Sequence, residues 1–298
     1  MPTPVPAAVP RARPAILLML AAVAAFALMD AGLKTLSAHY PPLEVAALRS
    51  LSSLPWLLVW GLASGGLRAL RPVRWPLHLL RGALGVLMMA SFVYALRRLP
   101  LSTAYAIFFV APLLITALSV PLLGERVGPR RWMAIVIGLL GVLVVLRPSG
   151  AGMFSLAGLA VLVAASGYAL SAISVRVLAR TNSTQAITFW VLLLMAAGAG
   201  ALALPDWVAL RGEHLAIVIA IGIAGALGQY AITEAFRLGE ASLIAPLEYT
   251  ALAWGTLLDL LLWGVLPDAA TWAGAAIIVA SGLYLLRRER VHAEAEHP

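Results

Sequence analysis

Uncharged apolar runs long enough to cross a bilayer recur along this chain, and they leave it few ways to fold. Ala15 to Met29, Leu99 to Gly124, Trp132 to Leu146, Thr181 to Pro205 and Ala269 to Leu286 each reach or approach the roughly 20 residues that span a hydrocarbon core about 30 Å thick. No water is available there to satisfy free backbone groups, so such runs must bond internally, which selects helices. Composition agrees: 62% of the 298 residues are hydrophobic, 11% are charged and the mean hydropathy is +0.95. A soluble chain would be roughly half apolar and a quarter charged. No stretch remains for a soluble domain.

A second constraint is internal duplication. Sliding the sequence by 140 places lays Ala95, Arg97, Ser102, Gly124 and Trp132 on Ala235, Arg237, Ser242, Gly264 and Trp272 without a gap, and a shift of 142 lays Phe26-Ala-Leu on Tyr168-Ala-Leu. The chain reads as two copies of one unit, residues 14–147 and 155–287, between a proline-rich tail (1–13) and a short polar tail (288–298). Helices are predicted at 14–36, 44–63, 76–96, 101–121, 130–147, 155–178, 184–204, 213–235, 242–264 and 270–287. The first is read as retained rather than as a signal peptide, because its counterpart lies in mid-chain. An odd number of helices per copy makes the second enter from the opposite side. The expectation is therefore an all-α integral membrane protein of ten transmembrane helices, arranged as two inverted-topology five-helix repeats. Fourteen loop-side Lys and Arg residues share the side of the N-terminus and five lie on the other, which puts both termini in the cytoplasm.

Several function classes drop out. The net charge of +8 is spread between apolar runs rather than gathered on one face, so no nucleic-acid partner is expected. Without cysteine there are no disulfides, thiolate metal sites or cysteine nucleophiles. No zinc-protease, serine-hydrolase or phosphate-loop motif occurs, and the five histidines fall at helix ends, in loops or in the tail. No catalytic residue, metal site or cofactor is predicted. The partners expected are a small-molecule substrate and the lipid bilayer, and oligomeric state is left unassigned.

Ionisable groups at membrane depth are few: Asp30, Lys34, Arg49, Arg81, Glu234, Glu248 and Asp259. Each costs roughly 3 kcal/mol to insert at a helix centre, so it is expected to face a partner or a water-filled cavity. Asp30 can pair with Lys34 one turn on, and Arg49 with Asp259 or Glu44. Helical spacing aligns Glu248, Tyr249, Leu252, Thr256 and Asp259 on one face of 242–264. It aligns Tyr105, Phe108, Phe109, Pro112, Thr116 and Ser119 on 101–121. Shorter stripes carry Phe26, Asp30 and Lys34; Arg81, Met88 and Phe92; Tyr168 and Ser171; Gln229 and Thr233.

Two readings stay open for these stripes. Small and hydroxylated residues let membrane helices pack closely, whereas Glu248, Tyr249, Gln229 and the Asp30/Lys34 pair favour a substrate cavity. Pro112 frees the Phe108 carbonyl in mid-helix and serves as a hinge or a packing kink. Its repeat partner is Leu252, and Pro246 lies only about one turn into its span, so the two halves are expected to bend unequally.

The segments APLLITALSVPLLGERVGPRRWMAIVIGLLGVLVVL (111–146) and AFRLGEASLIAPLEYTALAWGTLLDLLLWGVLPDAATWAGAAIIVASGLYLL (235–286) closely resemble the two signature halves of the EamA-type drug/metabolite transporters. The resemblance covers nearly the whole chain. Within that superfamily the chain is similar to bacterial inner-membrane exporters of amino acids and metabolites, those for aromatic amino acids included. The resemblance implies ten helices, cytoplasmic termini, a cavity built from the first, third, fourth, sixth, eighth and ninth helices, and alternating access. The family's loop pattern stands as Gly124-Glu125-Arg126 but is replaced by Gly264-Val265-Leu266 in the second half, so a paired carboxylate role does not carry over. Glu248-Tyr249 matches a dipeptide common in the family.

The resulting expectation is a secondary transporter that exports small metabolites, above all amino acids with aromatic or other large apolar side chains. Phe26, Phe92, Tyr105, Phe109, Tyr168 and Tyr249 would surround the apolar part, while Asp30, Lys34, Gln229 and Glu248 would meet the zwitterion. The alternative within transport is an exporter of cationic drugs or other small metabolites, for which Glu248 is the candidate acid. An intramembrane lipid-modifying enzyme lacks a catalytic motif, and a passive channel does not call for an inverted repeat.

Overall fold

The computed structural model describes residues 12–66, 70–124, 127–146, 155–238 and 245–296, and every regular element among them is helical. Most of the expected 1–13 tail lies outside the described residues, as do Glu125, Arg126, Arg147 and residues 242–244 of the ninth predicted span. Eleven α-helices occur among the described residues: α1 (Ala12–Ser37), α2 (Pro42–Gly65), α3 (Trp75–Leu96), α4 (Leu101–Phe108), α5 (Ala111–Leu123), α6 (Pro129–Leu146), α7 (Leu156–Leu178), α8 (Thr184–Ala203), α9 (Leu215–Leu238), α10 (Ala251–Trp263) and α11 (Ala269–Glu296). Eight stretches are long and apolar enough to cross a membrane, with α4 and α5 together forming one of them, Leu101–Leu123. Ala269–Tyr284 adds a shorter apolar helix.

Helix ends are set by local chemistry. Ser155 Oγ accepts from Gly158 N (3.0 Å) at the start of α7, and Ser183 Oγ accepts from Ala186 N (3.1 Å) at the start of α8; both satisfy N–H groups that have no partner inside the helix. Gly124 (φ 70°) and Gly264 (φ 66°) end α5 and α10 in the left-handed conformation, which only a residue without Cβ adopts freely. These two glycines are partners in the 140-place shift.

The predicted span 101–121 is broken. α4 stops at Phe108 and α5 starts at Ala111, with Pro112 in its first turn, where the missing N–H is not needed. The second half is interrupted at the matching place, but in a different way. There a 3-10 segment, Ala245–Thr250, precedes α10, and residues 251–263 of α10 map onto 111–123 of α5 at the same 140-place shift. Pro246 has no N–H to give an α-helical ladder, and the chain stays in the tighter turn until Ala251. A further difference lies at the C-terminal end, where α11 runs on to Glu296, past the expected end of the span at 287. The Arg-, Glu- and Ala-rich sequence that follows has high helix propensity.

Packing pairs helices across the two halves. α1 lies on α9 as α7 lies on α3; α2 lies on α9 as α8 lies on α3; α1 meets α10 as α7 meets α5. α2 packs on α8, and α6 on α11. For these pairs, replacing each helix by its counterpart in the other half returns another of them, whereas the α2–α3 contact has no equal between α8 and α9. The α6–α11 contact is close because a Cβ on Gly141 would lie 3.0 Å from the Gly274 carbonyl oxygen, and one on Gly274 would lie 2.6 Å from that of Gly141. Gly274→Val should therefore push the pair apart and destabilise the protein by about 1–3 kcal/mol, seen as a lower thermal midpoint in detergent. Gly212→Val, at a position with open space around it, should change stability by less than about 0.5 kcal/mol.

Candidate functional site: two polar levels in the helix interior

The first level is built around the N-terminus of α4. Pro100 provides no side-chain cap there, and Leu101 and Ser102 are fully buried, so their N–H groups need an acceptor from elsewhere. Asp259 on α10, itself fully buried, supplies it. Its carboxylate accepts from Leu101 N (2.9 Å), Ser102 N (2.8 Å) and Ser102 Oγ (2.7 Å). Lys34 adds the countercharge: Nζ donates to Asp259 Oδ1 (3.1 Å) and to the Leu99 carbonyl (3.0 Å), and stands 4.4 Å from the centroid of the Trp263 ring. A carboxylate at a helix N-terminus, met by a cation, is electrostatically well placed.

Asp30, one turn before Lys34, accepts from the Tyr105 hydroxyl (2.8 Å) and lies within electrostatic reach of Arg49. The pairing of Asp30 with Lys34 inside one helix thus gives way to contacts between helices. Both partners considered for Arg49 are engaged elsewhere, since Glu44 accepts from Val208 N (2.9 Å) and Asp259 is taken up as described. Arg49 Nε finds no hydrogen-bond partner among the described residues.

The second level is aromatic with charge at its edges. Phe92 and Phe108 meet with ring centroids 5.6 Å apart, and Phe108 and Tyr168 at 5.5 Å. Tyr168 stands on the same face of α7 as the fully buried Val161, Ala164 and Ala165 and touches Phe108, yet 40% of its surface is open. Its open side therefore faces a recess among the helices rather than lipid. Glu248 is half-buried, within electrostatic reach of Tyr168, and has no ion-pair or hydrogen-bond partner among the described residues. Arg81, also within electrostatic reach of Tyr168, donates from Nε to Ser171 Oγ (3.2 Å) and from Nη1 to the Ile187 carbonyl (2.9 Å).

The remaining expected residues divide between the recess and the packing around it. Phe109 stacks edge-on against Tyr249 at 5.0 Å, and the Tyr249 hydroxyl is buried against Gly282 without a hydrogen-bond partner among the described residues. Phe26 lies over Gly228, next to the half-buried Gln229, whose amide donates no hydrogen bond among the described residues. Tyr105 is committed to Asp30. The stripe from Glu248 to Asp259 does not survive as one face. A 3-10 helix turns about 20° further per residue than an α-helix, so Glu248 is carried toward α7 while Asp259 faces α4. Arg81 and Phe108 were not among the residues expected to bind substrate, although depth singled out the first and stripe membership the second.

The chain matches the EamA-like transporter family over residues 13–147 and again over 155–287. The riboflavin transporter of Rhizobium johnstonii is 32% identical over 240 residues, 80% of this chain and 78% of that protein. The pseudopaline exporter CntI of Pseudomonas aeruginosa is 29% identical over 92% of this chain and 96% of its own. The S-adenosylmethionine uptake transporter of Rickettsia prowazekii is 26% identical over 89% of each. A crystal structure 24% identical to this chain superposes with a TM-score of 0.64 over 92% of this chain and 97% of that one, which shows a shared fold.

The first level makes an asymmetric prediction. Asp259→Ala removes three bonds to the start of α4 and strands Lys34, and should destabilise by about 3–5 kcal/mol, the loss typical of breaking a buried ion pair. Lys34→Met leaves the three bonds from α4 to Asp259 intact, so its thermal midpoint in detergent should fall distinctly less. Equal losses in the two variants would mean that the ion pair, and not the helix cap, holds this level together.

Proposed function

This chain belongs to the EamA-like transporter family, and from that premise we propose that it exports small zwitterionic metabolites, amino acids with aromatic or other large apolar side chains above all. Membership makes it a bacterial multi-pass membrane protein that moves a small molecule, a transporter rather than an enzyme. The observation that carries the finer reading is Tyr168, open to an internal recess, in contact with an aromatic pair and within electrostatic reach of Glu248, an acid without an ion pair among the described residues. Flat apolar walls with one or two fixed charges suit a ligand that is part aromatic and part ionic.

The architecture we propose is ten spans in two inverted repeats, 14–147 and 155–287, with the segment through Ala245–Trp263 as the ninth span and α11 as the tenth. The exchange-symmetric packing and the common break at Ala111 and Ala251 support it. The arginine distribution supports cytoplasmic termini in the inner membrane. With that orientation the Lys34–Asp259 level closes the periplasmic end, and the recess at Glu248 opens toward the cytoplasm. Alternating access would then rock one half against the other, with the breaks at Pro112 and Ala245–Thr250 as hinges. Relatives named as an exporter and as an uptake transporter both occur, so direction is part of the proposal.

A second reading has an observation of its own. Glu248 without a partner is also what a cationic drug would seek. Uptake of labelled phenylalanine, tryptophan, threonine and a cationic drug into proteoliposomes separates the two. Saturable transport of the aromatic amino acids, reduced at least tenfold by Glu248→Gln, is the expected result; transport of the drug alone would overturn the amino-acid reading.

A further inference from the structure

Arg81 stands at the recess without an acid of its own. Its Nε and Nη1 are fixed by Ser171 on α7 and Ile187 on α8, so the plane of the guanidinium is set by two helices. Nη2 donates to no protein group among the described residues, and it is not sealed from the recess. Among those residues no carboxylate forms an ion pair with Arg81. A guanidinium oriented by two such bonds, with Nη2 left uncommitted, can still donate to an oxyanion placed beside it.

Charge balance narrows the ligand further. Tyr168 lies within electrostatic reach of Arg81 and of Glu248, so a cation and an anion flank one aromatic side chain. A ligand carrying only positive charge would meet Glu248 but be opposed by Arg81; one carrying only negative charge would face the reverse. A ligand with both charges neutralises both side chains and adds no net charge to a low-dielectric interior. The Phe92–Phe108 pair, in contact with Tyr168, offers the surface for its apolar part.

Resting on the transporter reading above, we propose that Arg81 anchors the substrate carboxylate and Glu248 the substrate ammonium, so that the protein selects aromatic amino acids over the amine or the acid of the same side chain. The groups committed to the other level, Asp30 to Tyr105 and Lys34 to Asp259, are then structural in this state.

Three probes share one ring: phenylalanine, phenethylamine, which lacks the carboxylate, and 3-phenylpropionate, which lacks the amine. Their Kd values are measured by thermal-shift titration of the purified full chain in detergent, for the wild type, Arg81→Gln, Arg81→Lys and Glu248→Gln. The wild type should prefer phenylalanine to each analogue by about 10- to 100-fold, the scale of a charge-assisted hydrogen bond. Arg81→Gln should erase the preference over phenethylamine but keep that over 3-phenylpropionate, and Glu248→Gln should do the opposite. Arg81→Lys, which keeps the charge but loses the fork, should retain part of the preference.

Because each ratio is taken within one preparation, a partly misfolded variant lowers all three affinities alike and leaves the ratios readable. If Arg81→Gln weakens phenylalanine and phenethylamine by the same factor, Arg81 is only a packing residue and the inference falls while the exporter reading stands. A wild type that binds phenethylamine as tightly as phenylalanine also overturns it and favours the cation reading. No binding of any of the three by the wild type overturns the amino-acid reading together with the inference.

Discussion

A helix that starts inside a helical bundle presents backbone N–H groups where neither water nor lipid can satisfy them. α4 starts this way at Leu101 and Ser102, and it is an eight-residue piece, shorter than a helix that stands alone in water. What holds α4 in place is the Asp259 carboxylate on its first turn. Three bonds from α4 satisfy that carboxylate, and Lys34 adds a countercharge from α1. Three helices are fixed by one acid, and the hydroxyl of Tyr105, one turn further along α4, is thereby brought to Asp30. The aromatic level follows from the same placement, because Phe108 closes α4 and bridges Phe92 to Tyr168.

Much of the framework was legible because hydropathy and duplication are properties of the chain itself. Apolar runs announce helices in any solvent without hydrogen bonds, and Gly124 and Gly264 mark where two of them end. The same reading fell short wherever a partner sits on another helix. Asp30 and Lys34 are four residues apart, so a sequence shows them as a pair; that Tyr105 and Asp259 compete for them depends on how α1, α4 and α10 cross. The stripe from Glu248 to Asp259 was drawn at a single helical period, which the 3-10 segment does not keep. Pro246 was visible, but its effect was judged by distance from the helix end rather than by the hydrogen bonds it cannot make.

Arg81 shows a different limit. Its depth marked it as costly, and a costly cation invites the search for an acid. The structure answers with a serine hydroxyl and a backbone carbonyl instead. Neither is recognisable in advance, since any helix offers carbonyls and only tertiary packing makes that of Ile187 available. Ordinary pairing rules would have matched Arg81 to Glu248 across the recess. Each reaches Tyr168 without an ion pair between them among the described residues, and that unused bonding capacity is what the proposed carboxylate and ammonium sites rest on.

The rocking of the halves proposed above would act differently on the two levels. Asp259 takes three of its hydrogen bonds from α4 alone, so the α4–α10 unit can move without exposing an orphaned carboxylate. Lys34 and Asp30 belong to α1, and the groups they hydrogen-bond lie on or beside α4 and α10, with Arg49 of α2 also within reach of Asp30. If α1 withdraws, both lose those partners together, and they already stand at the i, i+4 spacing at which a carboxylate and an ammonium can meet on one helix. Charge at such a moving interface would be tolerable because each state would offer it a partner. Under the proposed alternating access, the pair visible in the sequence and the pairs seen in the structure would be the two ends of one exchange.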